Sequence, residues 1–375
     1  MSVADASSEI APGLRPDAEA ALLRVERLEK VFVLGGSRLR ARTRHELRAV
    51  DGLSFDVRRG ETFGLVGESG CGKSTAARCI LRLVEPTGGR VLFDGIDLRR
   101  LAPAEMRRMR RRMQIMFQDP SASLDPRMTV QAIVEEPLEI HALGDRSQRR
   151  RRVQEILELV GITALQARRK PHEFSGGQRQ RVGLARTLVL DPEFVVLDEP
   201  ISAVDVSIQA QVLNLLRDLQ QRLHLTYLFI VHDLAVAEYF CDRLAVVYLG
   251  QVMELGPRET LFSKPLHPYT ISLLSAVPIP DPAVESRRKR IMLKGEVEAP
   301  GGAELRGCPF RPRCPVGRER EICREVTPPL EERTPGQWVA CHFAGELRVE
   351  EIRGTAAPAS TAPVRENEPS GTDRS

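Results

Sequence analysis

The feature that most limits what this chain can fold into is a glycine-rich loop, GESGCGKS at residues 67–74. It lies between an apolar run, TFGLV (62–66), and a helical stretch, STAARCILRLV (74–84). Gly, four residues, then Gly-Lys-Ser/Thr between a strand and a helix is the pattern of a loop that cradles phosphates. Its glycines let successive backbone N–H groups turn toward one anion, and the helix start adds the positive end of its dipole. Lys73 then reaches the β- and γ-phosphates of a nucleotide, and the Ser74 hydroxyl can ligate magnesium. The candidate ATP-binding loop is therefore Gly67, Glu68, Ser69, Gly70, Cys71, Gly72, Lys73, Ser74 and Thr75. A loop of this kind needs a buried strand beneath it and a helix behind it, which favours an α/β sheet.

A second motif lies about 125 residues beyond Lys73. FVVLDE (194–199) reads as a central strand ending in two carboxylates. Asp198 is placed to hold magnesium through water, and Glu199 to act as general base on an attacking water. Together the two motifs indicate a P-loop NTPase. A sharper signal is EFSGGQRQRVGLAR (173–186), where Ser-Gly-Gly stands before a helix and offers a second anion-binding start. Two such starts, far apart in one fold, cannot hold one phosphate without a large rearrangement. Two copies arranged head to tail can each lend one.

The rest of the chain fits this frame. Further strands are expected at YLFIV (227–231) and LAVVYLG (244–250), with a helix at QAQVLNLLRDLQQRL (209–223). From Pro103 to about Leu190 the pattern is mainly helical. Residues 1–22 and 346–375 are rich in Ala, Pro, Ser, Thr and charge and read as disordered tails. After Gly256, KPLHPY and VPIPDP mark a linker into a smaller, loop-rich region. At 375 residues the chain exceeds one typical core and suggests two domains plus tails. No run approaches the roughly 18 apolar residues that span a bilayer, and the N-terminus lacks the basic-then-apolar order of a signal peptide. A cytosolic location is expected, with any membrane role supplied by partner subunits. The net charge of +4 is modest. The arginine runs at 106–113 and 146–152 read as solvated helix faces, because Glu and apolar residues flank both at helical spacing.

The ordered set GESGCGKS, Gln118 in MFQDP, FSGGQ, VVLDE, SAVD (202–205) and His232 in IVHD resembles the ATPase subunit of an ABC transporter. The resemblance runs from residue 23 to about 255. FQDPSASLDPRMTV, HEFSGGQRQR, DEPISAVDVSIQAQVLNLL and the later HPYT (267–270) are similar to the subunits that power oligopeptide and dipeptide importers. The fold so implied is a RecA-like P-loop core with an antiparallel β subdomain and a helical signature subdomain (about 119–185). A loop-rich C-terminal extension (256–345) follows it. The resemblance implies ATP between two such subunits, homologous or identical, with Phe32 stacked on adenine. It makes Gln118 a ligand of magnesium and of the attacking water, beside Ser74 and Asp198. Ser175, Gly176, Gly177 and Gln178 would meet the γ-phosphate of the partner's ATP. Asp205 would cross the dimer interface, and His232 would hold the γ-phosphate and the water. Phe174 and Val204 replace the commoner Leu at their positions, and neither removes a phosphate ligand. The implied partners are two membrane-spanning permease subunits and an extracytoplasmic substrate-binding protein, with the chain on the cytoplasmic face of the membrane.

Competing readings are an importer of another small solute (nickel, glutathione) and a soluble ABC ATPase acting on nucleic acid or ribosomes. The second usually brings a coiled-coil insertion or a tandem module, and neither is present, so no nucleic-acid partner is expected. A regulatory protein with a dead ATP site is disfavoured by Lys73, Asp198, Glu199 and His232. One cluster remains. Cys308, Cys314, Cys323 and Cys341 fall within 34 residues and contain no pair two to four residues apart, the spacing usual for structural zinc. Cytosolic disulfides are disfavoured. An iron–sulfur cluster accepts irregular loop-borne spacings, and some peptide-importer ATPases hold a 4Fe–4S cluster in a similar extension. Free thiols and zinc stay open beside it. Cys79 and Cys241 read as buried thiols, and Cys71, at a helix N-terminus, as one whose pKa could fall.

Overall fold

The structure, a computed structural model, describes residues 21–34, 45–118, 123–202, 205–277, 291, 293 and 306–347. Most of both expected tails, the Asp119–Pro120 step and the VPIPDP stretch after Val277 lie outside the described residues.

Two sheets organise the chain. Strands β1 (Ala21–Leu34), β2 (His45–Arg58), β4 (Gly88–Phe93) and β5 (Ile96–Asp97) form an antiparallel sheet in the order β2-β1-β4-β5. The larger sheet runs β11-β12-β10-β9-β3-β8-β7-β6. Its parallel part is β6 (Met113–Met116), β7 (Phe194–Asp198), β8 (Thr226–Val231), β3 (Thr62–Val66) and β9 (Arg243–Tyr248). Every residue of β3, β7 and β8 is buried, as expected of parallel strands covered on both faces. Side chains alternate between two cores. Val66, Val195, Leu197 and Phe229 join one, and Leu65, Phe194, Val196 and Leu228 join the other.

Helix α1 (Lys73–Ile80) follows the glycine loop. Helix α2 (Pro103–Arg112) buries Met106 and Met109 and exposes Arg107 and Arg108, while half-buried Arg110 donates to the Arg82 carbonyl and half-buried Arg112 pairs with Glu193 and Asp94. Chain 113–116 then leaves the helix and pairs with β7, Met113 opposite Phe194. This strand was not expected, because its methionines continue the helical spacing of α2. Helices α3 (Val130–Ile140), α4 (Arg146–Leu159) and α5 (Gly176–Leu188) pack together. Asp145 caps α4 by accepting the N–H groups of Ser147 and Gln148 at 2.7 and 2.9 Å. The basic run there is partly ion-paired, Arg149 to Glu135 at 3.3 Å. Helices α6 (Val206–Leu223), α7 (Leu234–Phe240), α8 (Arg258–Ser263) and α9 (Pro268–Ala276) complete the cassette and its continuation. Among the described residues no helix is long and apolar enough to cross a membrane.

The C-terminal segment joins the same sheet. Strand β10 (Gln251–Pro257) crosses the boundary expected at 255/256 and pairs antiparallel with β9. It also pairs with β12 (Gln337–Val339), which in turn pairs with β11 (Glu331–Thr334). Ala21 and Leu22 open β1, and Glu346 takes two bonds from Arg320 at 3.1 and 2.7 Å. Ordered chain therefore extends slightly into both stretches expected as tails.

Fully buried Glu254 fastens this seam. Its carboxylate accepts the N–H groups of Leu266 (2.8 Å) and His267 (3.0 Å) and the Gln337 amide (2.7 Å). Burial pushes the Glu254 carboxyl up, while these donors and the Thr270 hydroxyl pull it down. Glu254→Ala leaves several buried donors without an acceptor and should cost ~3 kcal/mol or more. The chain's one tryptophan, Trp338, lies on β12 opposite Leu255. Its fluorescence should therefore report the loss as a urea midpoint at clearly lower denaturant. An unchanged midpoint would show that Glu254 does not hold the seam.

Candidate active site

Strand order explains why residues far apart in sequence meet. Strand β8 lies between β3 and β7, and β6 lies beyond β7. The loops leaving the carboxyl ends of β3, β7, β8 and β6 carry the phosphate loop, Asp198–Glu199, His232 and Gln118 respectively. The crevice outside the carboxyl ends of parallel strands is where such sheets bind ligands.

The loop from Gly67 to Gly72 fits its place only with glycine at key points. A Cβ on Gly67 would stand 2.2 Å from the Val247 carbonyl oxygen, and one on Gly72 2.1 Å from that of Ala49. Gly72 also has φ +101°, a conformation that side chains resist. Ser69 and Gly70 stand exposed at the tip, and Thr75 lies in the first turn of α1. The Lys73 ammonium is buried and donates to the carbonyls of Gly67 (2.7 Å) and Glu68 (2.8 Å). The Ser74 hydroxyl donates to Asp198 Oδ1 at 2.7 Å. Burial pushes the Asp198 carboxyl up, and the Ser74 bond pulls it back.

Two of the residues singled out from sequence converge on the carboxylate of a third, Glu199. Gln118 Nε2 donates to Glu199 Oε2 at 2.8 Å, and His232 Nδ1 lies 3.4 Å from Glu199 Oε1. Glu199 stands at φ +48° and its N–H bonds the Ile230 carbonyl at 3.1 Å. A non-glycine residue held in the left-handed region costs energy and is concentrated at functional sites.

The signature residues lie on other elements. Ser175 caps α5 by accepting the N–H of Gln178 at 3.3 Å, while the Gln178 side chain accepts the N–H of Ser175 at 3.1 Å. This reciprocal pair is a capping box. Gly177 packs on α6, where a Cβ would meet Ile208 Cγ2 at 2.7 Å. Asp205 is exposed at the start of α6, and neighbouring Ala203 and Val204 lie outside the described residues. Phe32 is half-buried on β1 opposite Leu47, with the Lys30 ammonium 4.9 Å from its ring centroid.

Two cysteine expectations differ in outcome. Cys79 and Cys241 are buried, as expected. Cys71 is buried too, and its thiol is raised rather than lowered, because desolvation outweighs the adjacent Lys73. The structure also brings in residues that the sequence reading did not assign to the site. Tyr269 of the HPYT stretch accepts the Glu68 N–H on its hydroxyl at 3.1 Å. Arg313 donates to both Glu68 carboxylate oxygens, at 2.5 and 3.0 Å. No sequence signal linked Arg313 to Glu68 across 245 residues.

The C-terminal cysteines are all buried. Gly317 faces two of them: a Cβ there would stand 2.7 Å from Cys323 Sγ and 3.6 Å from Cys314 Sγ. Backbone N–H groups of Gly317 and Phe343 donate to Cys314 Sγ (3.2 Å) and Cys341 Sγ (3.4 Å). Burial pushes the Cys308 thiol to about 12 and Cys341 to about 11, and raises Cys314 and Cys323. Among the described residues, however, no group of three or more His, Cys, Asp or Glu is arranged to hold a metal ion.

Comparison with known proteins agrees with this geometry. The ABC transporter family profile matches residues 50–202, and the oligopeptide/dipeptide transporter C-terminal region matches 253–323. A putative peptide import ATP-binding protein of Brucella ovis is 54% identical over 295 residues, covering 79% of this chain and 92% of that protein. The oligopeptide transport ATP-binding protein AppF of Bacillus subtilis is 50% identical over 299 residues, covering 80% and 90%. Among solved structures, the dimeric ATP-binding cassette MJ0796 bound to ADP and phosphate superposes with TM-score 0.56 at 29% identity, covering 63% of this chain and 98% of that one. CbiO1 of Clostridium perfringens, part of an ABC transporter complex, gives 0.57 at 27%, covering 68% and 94%. The chain thus belongs to the ATP-binding subunits of ABC transporters of the oligopeptide/dipeptide family.

Proposed function

We propose that this subunit hydrolyses ATP between two cassettes to drive peptide import through a membrane permease. The observation that carries the hydrolytic half is the Glu199 carboxylate, held between Gln118 and His232 beside the Ser74–Asp198 pair. In this reading Lys73 and the loop N–H groups bind the β- and γ-phosphates. Ser74, Asp198 and Gln118 hold Mg2+, which screens the phosphate charge when bound. Glu199 accepts a proton from the attacking water while Gln118 and His232 keep that water and the carboxylate aligned. The adenine rests on Phe32. Ser175, Gly176, Gly177 and Gln178 close on the ATP of a second cassette, identical or homologous, with Asp205 at the interface. The dimeric state of MJ0796 supports this pairing. The peptide half rests on the matched C-terminal region and on relatives whose names specify peptide or oligopeptide import. Two permease subunits and an extracytoplasmic binding protein then complete the transporter, with this chain on the cytoplasmic face.

The same reading places a 4Fe–4S cluster on Cys308, Cys314, Cys323 and Cys341. The support is chemical. A 4Fe–4S cluster takes four thiolates from irregular, loop-borne spacings, and the spacings of these cysteines are of that kind. Side-chain-free Gly317 leaves room beside two sulfurs, and backbone N–H donors to sulfur stabilise thiolates. Burial raises all four thiols, so binding a cluster would release their protons.

Three outcomes test these assignments. Glu199→Gln keeps shape and hydrogen-bonding reach but cannot take a proton, so turnover should fall roughly 10²-fold or more with ATP still bound. Near wild-type hydrolysis would remove Glu199 from the base role. Ser175→Arg should abolish ATPase activity while leaving nucleotide binding by the isolated subunit intact, and equal loss of both would argue against a site completed in trans. Protein purified without oxygen should be brown and hold about four irons per chain, with Cys314→Ser bleaching it. A colourless anaerobic preparation would sink the cluster.

A further inference from the structure

Glu68 lies in the phosphate loop, one residue after Gly67, and two of its groups are held from outside that loop, with a third held by Lys73 within it. Its backbone N–H is spent on the Tyr269 hydroxyl. Its carbonyl accepts from Lys73. Its carboxylate takes the two-pronged bond from Arg313, whose side chain is 9% exposed against 28% for Glu68. A partly buried, bidentate guanidinium–carboxylate pair is among the stronger and more directional polar contacts that a protein can make.

The arm that delivers Arg313 is itself anchored. Arg313 closes a short helical turn, Arg311–Arg313, just before Cys314. Its guanidinium lies 5.8 Å from the Tyr248 ring centroid, within the range of cation–π attraction. Phe310, three residues earlier and fully buried, packs against Tyr248 (5.3 Å), Tyr269 (5.2 Å) and His267 (5.7 Å). Tyr248 and Tyr269 also meet edge to face at 4.9 Å. Tyr248 ends β9, and the carbonyl of its neighbour Val247 is the oxygen that crowds Gly67. The aromatic cluster, the end of β9 and the phosphate loop therefore form one continuous contact, with Arg313 at its edge.

We propose that Arg313 is a positioning residue for ATP binding: through Glu68 it holds the phosphate loop in the shape that receives nucleotide. The ATP site thereby depends on the folded C-terminal segment of its own chain. Arg313 touches neither nucleotide nor magnesium in this account. It limits how far the Glu68 peptide can rotate, and with it the carbonyl that orients Lys73. Removing the fork frees the loop, and ATP must then pay the ordering cost on binding. Affinity should suffer, while the chemical step at Glu199 is left in place.

The inference rests on the assignment of Gly67–Thr75 as the phosphate-binding loop, and the experiment separates the two. Affinity for a fluorescent ATP analogue, KM and kcat are measured for Arg313→Met, Glu68→Gln, their double variant, Arg313→Lys and Lys73→Ala. Arg313→Met and Glu68→Gln should each weaken affinity and raise KM about tenfold, and Arg313→Met, which lies outside the loop, should keep kcat at saturating ATP within about twofold of wild type. The double variant should be no worse than either single, because both remove one contact. Arg313→Lys should recover part of the affinity, having the charge without the fork. Should Arg313→Met fail to fold, Glu68→Gln carries the same test from the loop side of the pair. Unchanged ATP affinity in Glu68→Gln, or additive losses in the double variant, would overturn the proposal even if Trp338 shows a less stable segment. Normal ATP binding by Lys73→Ala would instead overturn the loop assignment on which it stands.

Discussion

Everything in this site depends on β3 being buried between β8 and β9 in a parallel sheet. Parallel pairing points the three strands' carboxyl ends the same way, and β7 beside β8 adds a fourth. Gly67, Asp198, His232 and Gln118 therefore leave the sheet at one rim without any contact between them in sequence. Burial on both faces is what makes the register firm. A slip of one residue would send Leu65 into the core of Val66, and the same for each neighbour. The Glu199 arrangement is a second consequence. Its backbone N–H is fixed to the Ile230 carbonyl of the adjacent strand, so its side chain projects over the rim toward His232, two residues beyond Ile230.

The same logic shows what was legible in the sequence. TFGLV and FVVLD match their strands end to end, because a fully buried parallel strand writes itself as a continuous apolar run. Strands β8 and β9 begin one residue before the runs that marked them, at Thr226 and Arg243. The glycine loop was legible because phosphate binding demands backbone N–H groups, and only certain residues let the chain supply them. Strand β6 was hidden because MQIM is short, sits on the edge of the sheet and follows a helix whose methionine spacing it continues. Cys71 was misread because helix-start electrostatics was considered without burial. A thiol with 1% exposure is governed by desolvation first. The Arg313–Glu68 pair and the β10–β12 seam leave no local pattern at all, since a contact across such distances depends on the whole path of the chain.

Contacts within the helical region tie the helix that begins at Ser175 to the turn that carries Asp205. Ser175 and Gln178 satisfy each other at the start of α5, so this helix end is defined before any ligand arrives. Gly177 meets Ile208 in the first turn of α6, directly after Asp205. A shift of the signature helix is therefore felt at the turn that carries Asp205. Close packing transmits such shifts because it leaves little room for independent adjustment.

The C-terminal segment changes how the whole chain should be counted. Length suggested two domains plus tails, whereas among the described residues the two hydrophobic clusters lie on opposite faces of the larger sheet and both draw on the C-terminal segment. Cys308, Phe310, Cys314 and Cys323 join the cluster that contains Val66 and Val231. Trp338 joins the opposite cluster, with Leu65 and Phe63. The segment thus contributes to both faces and adds two strands at the β10 edge. A loop-rich stretch of this kind has too little apolar surface of its own to offset its chain entropy. By laying Tyr269 and Phe310 on Tyr248, and its strands on β10, it uses apolar surface that the cassette already presents. The cost of that arrangement is independence. The segment packs against the end of β9 that also supports the glycine loop, and Glu68 is where segment and loop touch.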